Sequence, residues 1–109
     1  MVKQNSKSGS GGFAARRIQE EAIFRLQLRR CKSRWPSCGA LCIRDYVIAY
    51  FTRDTIDIRV TKAGIRTVSE DIRSRAKKIR TDWIELPLDT DEEIVLDLLL
   101  LSKRLNLLR

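Results

Sequence analysis

The first strongly periodic segment runs from residue 13 to residue 32. Helix-forming residues dominate it, and its apolar side chains recur every four residues, at Ile18, Ala22 and Leu26. This spacing predicts an amphipathic helix. The helix is expected to stop before Trp35-Pro36, because a residue that precedes proline is disfavoured in the α region.

The segment 38–63 is apolar on two helical faces and supports two interpretations. As one long helix that starts after Ser37, it would need cover from two directions. Residues 55–61 instead alternate with period two and are rich in β-branched side chains, which is typical of a strand. The local pattern favours the strand slightly.

Three elements are predicted in the remainder of the chain. Ser69 is a good N-cap for a short basic helix that reaches about Arg80. Residues 84–88 are expected to be extended, because the proline among them resists helix. Thr90 or Asp91 then caps a last, Leu-rich helix that is apolar over most of its girth. That helix is either part of the core or a surface for a partner.

The composition of the chain predicts a flexible N-terminal tail and gives the protein a strong positive charge. Residues 1–12 are mostly Ser, Gly, Lys and Asn, a composition that cannot bury enough apolar surface to offset its ordering entropy. The chain of 109 residues has 22 Lys and Arg against 14 Asp and Glu, a formal net charge of +8. Such a charge attracts nucleic acid, an anionic membrane surface or an acidic protein. Because no run of about 18 apolar residues is present, we expect no membrane span.

The sequence shows no recognisable arrangement of catalytic or metal-binding residues. There is no histidine, which removes the commonest general base and metal ligand. The spacings of Cys31, Cys38 and Cys42 do not fit a structural zinc knuckle, and we expect free thiols. No phosphate-binding glycine loop and no carboxylate pair at a recognisable spacing is visible. We therefore expect no enzyme activity, no metal, no cofactor and no small-molecule substrate.

Several segments carry a resemblance to a known family. Residues 63–72, Ala-Gly-Ile-Arg-Thr-Val-Ser-Glu-Asp-Ile, resemble the second loop and third-helix start of archaeal and core histones. Residues 76–79 fit the basic end of that third helix. The first helix of histone four, the smallest core histone, is similar to a set of positions upstream: Ile18, Ala22-Ile23, Arg25-Leu26 and Arg29-Arg30. The resemblance covers about residues 18–80.

The resemblance implies an all-α histone fold, with a short helix, a long central helix over residues 38–63, a short helix and an extra C-terminal helix. On this interpretation residues 13–83 are the histone-fold domain and residues 84–109 are a C-terminal extension. The apolar central helix then implies pairing with a second histone-fold chain, the same or a different one. The implied location is the nucleus or chromosome, or the nucleoid or virion for an archaeal, bacterial or viral source.

The same resemblance implies a protein that binds and compacts duplex DNA through phosphate and minor-groove contacts, without reading its sequence. Asp71 would be the structural clamp of the third helix, although Ile65 stands where the family has the partner arginine. The implied DNA contacts come from the first helix and from two loops: Arg25, Arg29, Arg30, Lys32, Arg34, Arg66 and Thr67.

Three other functions are compatible with the sequence. A histone-fold interaction subunit of a transcription or centromere complex would use the fold to choose partners. A helix-turn-helix regulator would use residues 64–69 as the turn and the start of a recognition helix, but it needs a helix over residues 55–61. A basic RNA-binding or inhibitory viral protein would fit the charge alone.

Overall fold

The computed structural model describes residues 10–32 and 38–107. These residues form four helices and six strands. In chain order the elements are α1 (Ser10–Leu26), β1 (Arg29–Arg30), β2 (Gly39–Ile43), β3 (Tyr46–Phe51), β4 (Thr55–Arg59), α2 (Thr61–Thr67), α3 (Glu70–Arg75), β5 (Lys78–Ile79), β6 (Trp83–Pro87) and α4 (Glu92–Leu107). Helix α1 begins inside the segment 1–12 that was predicted as a tail, and the first nine residues of that segment lie outside the described residues.

The six strands form one antiparallel sheet in the order β1-β2-β3-β4-β6-β5. The pairing register places one residue from each strand in a single row: Arg30, Leu41, Ala49, Ile58, Ile84 and Ile79. The four inner members of this row have no exposed surface. The two outer members are exposed. The hydrophobic core therefore lies against this face of the sheet and stops at the two edge strands.

Helices α1 and α4 pack against each other and against the sheet. Their contact is reinforced by two ion pairs, with Arg17 Nε 3.1 Å from Glu92 Oε1 and Arg25 Nη1 3.1 Å from Glu93 Oε2. Helix α2 packs against α4 and β6. The sheet thus carries a layer of helices that joins the first and last elements of the described chain.

The all-α histone fold predicted from the resemblance is wrong, because residues 39–59 form the strands β2, β3 and β4. Two turns reverse the chain where one long helix was expected. Arg44 has a φ of 54° in the turn between β2 and β3, and Thr52 N donates to Thr55 O at 2.9 Å across the next turn. The β-branched, alternating residues of β4 then pair on both sides, as the local pattern favours. The central helix on which histone pairing depends does not exist here.

The helices and the extended segment predicted late in the chain are confirmed, with altered limits. The hydroxyl of Ser69 caps α3 by accepting from Ile72 N at 3.3 Å, but the helix ends at Arg75 instead of Arg80. The segment 84–88 lies largely in β6. Asp91 Oδ1 accepts from Glu93 N at 2.9 Å at the start of α4.

The predicted C-terminal extension, residues 84–109, supplies most of β6 and all of α4 to the same core as the rest of the protein. On α4, Val95 and Leu99 have no exposed surface and Leu98 has 2%. This places α4 among the core elements of one chain. Among the described residues, no helix has the length and apolar character needed to cross a membrane.

A small buried polar network ties α4 to the end of β4. The Ser102 hydroxyl donates to Arg59 O, and the Asn106 amide donates to Ser102 O at 2.8 Å. Ser102 has no exposed surface and Asn106 has 3%. A buried carbonyl at a strand end needs a donor, and α4 provides one from its core-facing side.

Candidate nucleic-acid interface

Five cationic side chains lie along and beside the edge of the sheet formed by β1. Arg29 and Arg30 form the edge strand itself and Lys32 follows it, while Arg44 lies in the β2–β3 turn and Arg16 on α1. We call Arg16, Arg29, Arg30, Lys32 and Arg44 the basic edge. All five residues are exposed.

Two hydrogen bonds fix the arginines of the edge strand in place. Arg29 Nη2 donates to Arg44 O at 2.9 Å, which draws the Arg29 side chain along the edge toward the β2–β3 turn. Arg30 Nε donates to Gln19 Oε1 at 3.1 Å, which points the Arg30 side chain toward α1. The two-residue strand therefore directs the Arg29 guanidinium toward the β2–β3 turn and the Arg30 guanidinium toward α1.

The basic edge differs from several other cations in lacking carboxylate partners. Within the described chain, none of its five members forms an ion pair. Five arginines elsewhere do form ion pairs with Asp or Glu: Arg17, Arg25, Arg59, Arg75 and Arg80. Glu20 and Asp45 are the acidic neighbours of the basic edge in sequence, so the excess charge of this region is positive.

A cleft opens beside the basic edge, between α1 and the start of β2. We call it the α1–β2 cleft; its volume is about 580 Å³, and it is lined by Arg16, Gln19, Glu20, Arg30, Cys38 and Gly39. Gln19 is only 3% exposed. Its amide bridges the two walls, since Nε2 donates to Cys38 O at 2.9 Å while Oε1 accepts from Arg30.

Gly39 is what allows the strand to approach this amide. Its φ is +134°, a conformation that L side chains rarely adopt. A Cβ atom at this position would lie 2.5 Å from the Gln19 amide nitrogen and oxygen. A side chain at this position would have to displace the Gln19 amide or the strand, and either shift would disturb the bridge.

The sequence-predicted DNA-binding residues divide into two groups in the structure. Arg29, Arg30 and Lys32 come together on the basic edge, and Arg34 lies outside the described residues. Arg25 instead pairs with Glu93, whose hydrogen bond and negative charge raise the pKa of Arg25 above its usual value. Its positive charge is already balanced by the last helix.

The residues predicted to form the second DNA-binding loop lie toward the edge of the sheet opposite β1, because α2 packs against β6. Arg66 is exposed there. The Thr67 hydroxyl donates to Gly64 O at 3.0 Å, so it serves its own helix. Asp71, the predicted clamp, pairs with Arg75 one turn along α3 at 3.2 Å. The segment 55–61, which a helix-turn-helix regulator would need as a helix, is mainly strand β4.

Sequence reasoning missed Arg16, Gln19 and Arg44 as members of this region. Arg16 and Gln19 belong to α1, and only the packing of that helix on β1 and β2 brings them to the edge. Arg44 becomes part of it through a turn that the long-helix interpretation does not contain. The pair Arg44-Asp45 between two apolar runs was the available signal for that turn.

The three cysteines are free, and their surroundings differ sharply. Cys42 is buried and Cys31 half-buried, on paired neighbouring strands. Burial and a hydrogen bond with Cys42 raise the pKa of Cys31 to about 12. Cys38 is exposed at the mouth of the α1–β2 cleft. In the part of the chain that the structure describes, no three His, Cys, Asp or Glu side chains are arranged to hold a metal ion.

Comparison with known proteins gives no family for this chain: no family, no curated protein and no solved structure matches it.

Proposed function

We propose that the protein binds nucleic acid through phosphate contacts along the basic edge, without reading base sequence and without catalysing a reaction. Histone-type wrapping is not part of this proposal, because it depends on paired central helices. The partner suggested here is the phosphate backbone itself, which is the same in every sequence.

The observation that carries the proposal is a set of five cations along and beside one edge of the sheet that form no ion pair within the described chain. Like charges held close together repel, so a protein usually intersperses them with carboxylates. This chain has 14 Asp and Glu and pairs several of them with arginines elsewhere. The basic edge is left for an anion outside the protein.

The chemistry of the side chains supports a phosphate partner. Four of the five groups are arginines, whose planar guanidinium forks onto phosphate oxygens and stays charged at any physiological pH. Arg29 and Arg30 are held by hydrogen bonds to Arg44 O and Gln19, so part of their ordering cost is met before binding. Arg44 and Lys32 extend the contact beyond the two strand residues.

The test is a comparison of two double variants that each remove two charges from an edge strand region. R29Q/K32Q changes the basic edge, and K77Q/K78Q changes the opposite edge at β5, where both lysines are also exposed. Binding to a fluorescent DNA oligonucleotide is measured by anisotropy at several salt concentrations. We expect the wild-type affinity to fall steeply with salt, since each phosphate contact contributes about 0.7–0.9 to the slope of log K against log salt.

R29Q/K32Q should reduce that slope by roughly one to two, while K77Q/K78Q should change it little. An equal loss in both variants would show that net charge alone drives binding and would overturn the assignment to the basic edge. Absence of binding at low salt would overturn the proposed function altogether.

A further inference from the structure

The α1–β2 cleft has the size and charge of a site for a small anion. Arg16 on α1 and Arg30 on β1 both line it, and neither has a carboxylate partner within the described chain. Its volume of about 580 Å³ lies inside the range of about 300–1,000 Å³ typical of small-molecule sites. The other cations of the basic edge do not line it.

The Arg30 guanidinium is oriented before any ligand arrives. Its Nε is bonded to the buried Gln19 amide, which is itself held by Cys38 O. The two terminal nitrogens of Arg30 have no partner among the described residues. Because Gln19 is only 3% exposed, the position of the fork is set by packing as well as by hydrogen bonds. A group fixed in this way loses little entropy on binding.

We propose that the α1–β2 cleft binds the phosphate of a nucleotide-like phosphomonoester, with Arg16 and Arg30 as the groups that hold it. A phosphomonoester carries a charge of about −1.5 to −2 near pH 7, as a phosphoserine does, whereas an internal backbone phosphate carries one negative charge. Two guanidinium forks match the doubly charged group and its three terminal oxygens.

Glu20 narrows the class of ligand. Glu20 lines the same cleft, and its carboxylate has no cation partner among the described residues. A carboxylate repels a bare anion, but it accepts hydrogen bonds from hydroxyl groups. A ligand that carries both a phosphate and sugar hydroxyls therefore fits this cleft better than inorganic phosphate does.

The phosphomonoester can come from two sources: the phosphorylated end of a strand or a free mononucleotide. The strand-end source rests on the proposed function, because the rest of the strand would lie on the basic edge. The free-nucleotide source does not depend on it.

The first experiment compares oligonucleotides of one sequence that end in a 5′-phosphate, a 3′-phosphate or only hydroxyls. We expect roughly tenfold tighter binding of a phosphorylated end, the effect of one added charge-assisted contact. R16Q should abolish this preference. R29Q, on the basic edge but outside the cleft, should weaken all three oligonucleotides equally and keep the preference. E20Q should increase the preference, because it removes the negative charge facing the phosphate.

The second experiment uses Cys38 as a reporter in the unmodified protein. Cys42 is 2% exposed and the pKa of Cys31 is raised to about 12, so a thiol reagent near pH 8 should modify Cys38 first. Adenosine monophosphate is the free-nucleotide probe, with adenosine and inorganic phosphate as controls. We expect the monophosphate to slow modification of Cys38 at least severalfold and adenosine to leave it unchanged.

The outcomes separate this inference from the proposed function. Salt-dependent binding that ignores the phosphorylated end, together with no protection of Cys38, overturns the cleft and leaves the basic edge in place. Protection of Cys38 by the monophosphate in a protein that binds no oligonucleotide supports the cleft as a nucleotide site and overturns the proposed function. A preference for phosphorylated ends that survives R16Q overturns the assignment of Arg16.

Discussion

At the scale of single residues, two glycines show how the same substitution can have very different costs. Gly39 combines a φ of +134° with a Cβ position 2.5 Å from the bridged Gln19 amide. Gly64 lies in α2, where the added Cβ would meet the Leu105 side-chain tip at 2.7 Å. At Gly39 a hydrogen-bonded amide and an unfavourable backbone angle both oppose a side chain. At Gly64 the nearest obstacle is the end of a flexible side chain, with Val60 Cβ next at 3.1 Å.

We expect G39A to lower the free energy of unfolding by about 2 kcal/mol or more, because it adds backbone strain and disturbs the partly buried hydrogen bonds of Gln19. G64A should change it by less than about 1 kcal/mol in either direction, since the gain in helix propensity offsets the shift of Leu105. Urea denaturation followed by circular dichroism measures both. Equal losses would show that the conformation at Gly39 is not what sets its cost.

At the scale of elements, the helices and strands that can be predicted from the sequence are those with one apolar and one polar face. The stripe of α1 and the caps at Ser69 and Asp91 follow from spacing and side-chain chemistry alone, and the structure has them. In β4, Asp57 and Arg59 alternate with buried isoleucines, so its period of two is visible in the sequence.

Strand β2 could not be predicted in this way. Four of its five residues, Ala40 to Ile43, are buried, so no alternation remains to distinguish it from a buried helix. The turns around Arg44-Asp45 and Thr52 decide between the two, and the histone resemblance overrode them. Only part of the basic edge could be predicted. Arg29, Arg30 and Lys32 lie close together in the sequence, whereas Arg16 and Arg44 join them only through the way β2 folds back.

The attachment of α4 to β4 is a further property of elements. S102A removes the only hydroxyl described in that network and leaves Arg59 O with the longer bond from Asn106 Nδ2 at 3.5 Å. We expect a loss of about 1 kcal/mol in the free energy of unfolding, the net contribution of one hydrogen bond. D97A, at an exposed position of the same helix, is the control and should stay within about 0.5 kcal/mol. Similar values for both variants would contradict a role for the network.

At the scale of the whole molecule, the core is closed within one chain. The large apolar side chains that remain exposed in the described chain are Phe24, Tyr46, Ile79 and Leu107, on four different elements. Single exposed apolar side chains are common on monomeric proteins and do not by themselves mark a pairing surface. The dimer expected from the histone resemblance was to cover the second apolar face of a central helix. In the structure these apolar residues belong to strands that the chain's own helices cover.

We expect the purified protein without nucleic acid to be a monomer, with a mass near 12.6 kDa by light scattering. The mass should stay constant as the protein is diluted, since no equilibrium with a dimer is expected. A stable mass twice as large, unchanged by dilution, would contradict this and would point to a pairing surface outside the described residues.

The packing of α1 against α4 also constrains the order in which the protein can fold during its synthesis. The ion pairs between α1 and α4 connect residues 75 and 68 positions apart. During synthesis the first helix and the β2–β4 meander emerge long before the helix that covers them. Until α4 has emerged, the apolar face of the sheet that this helix covers stays exposed, and contacts of such long range close slowly. We therefore expect the stage before α4 docks to be the one at which the chain is most open to aggregation and to chaperones.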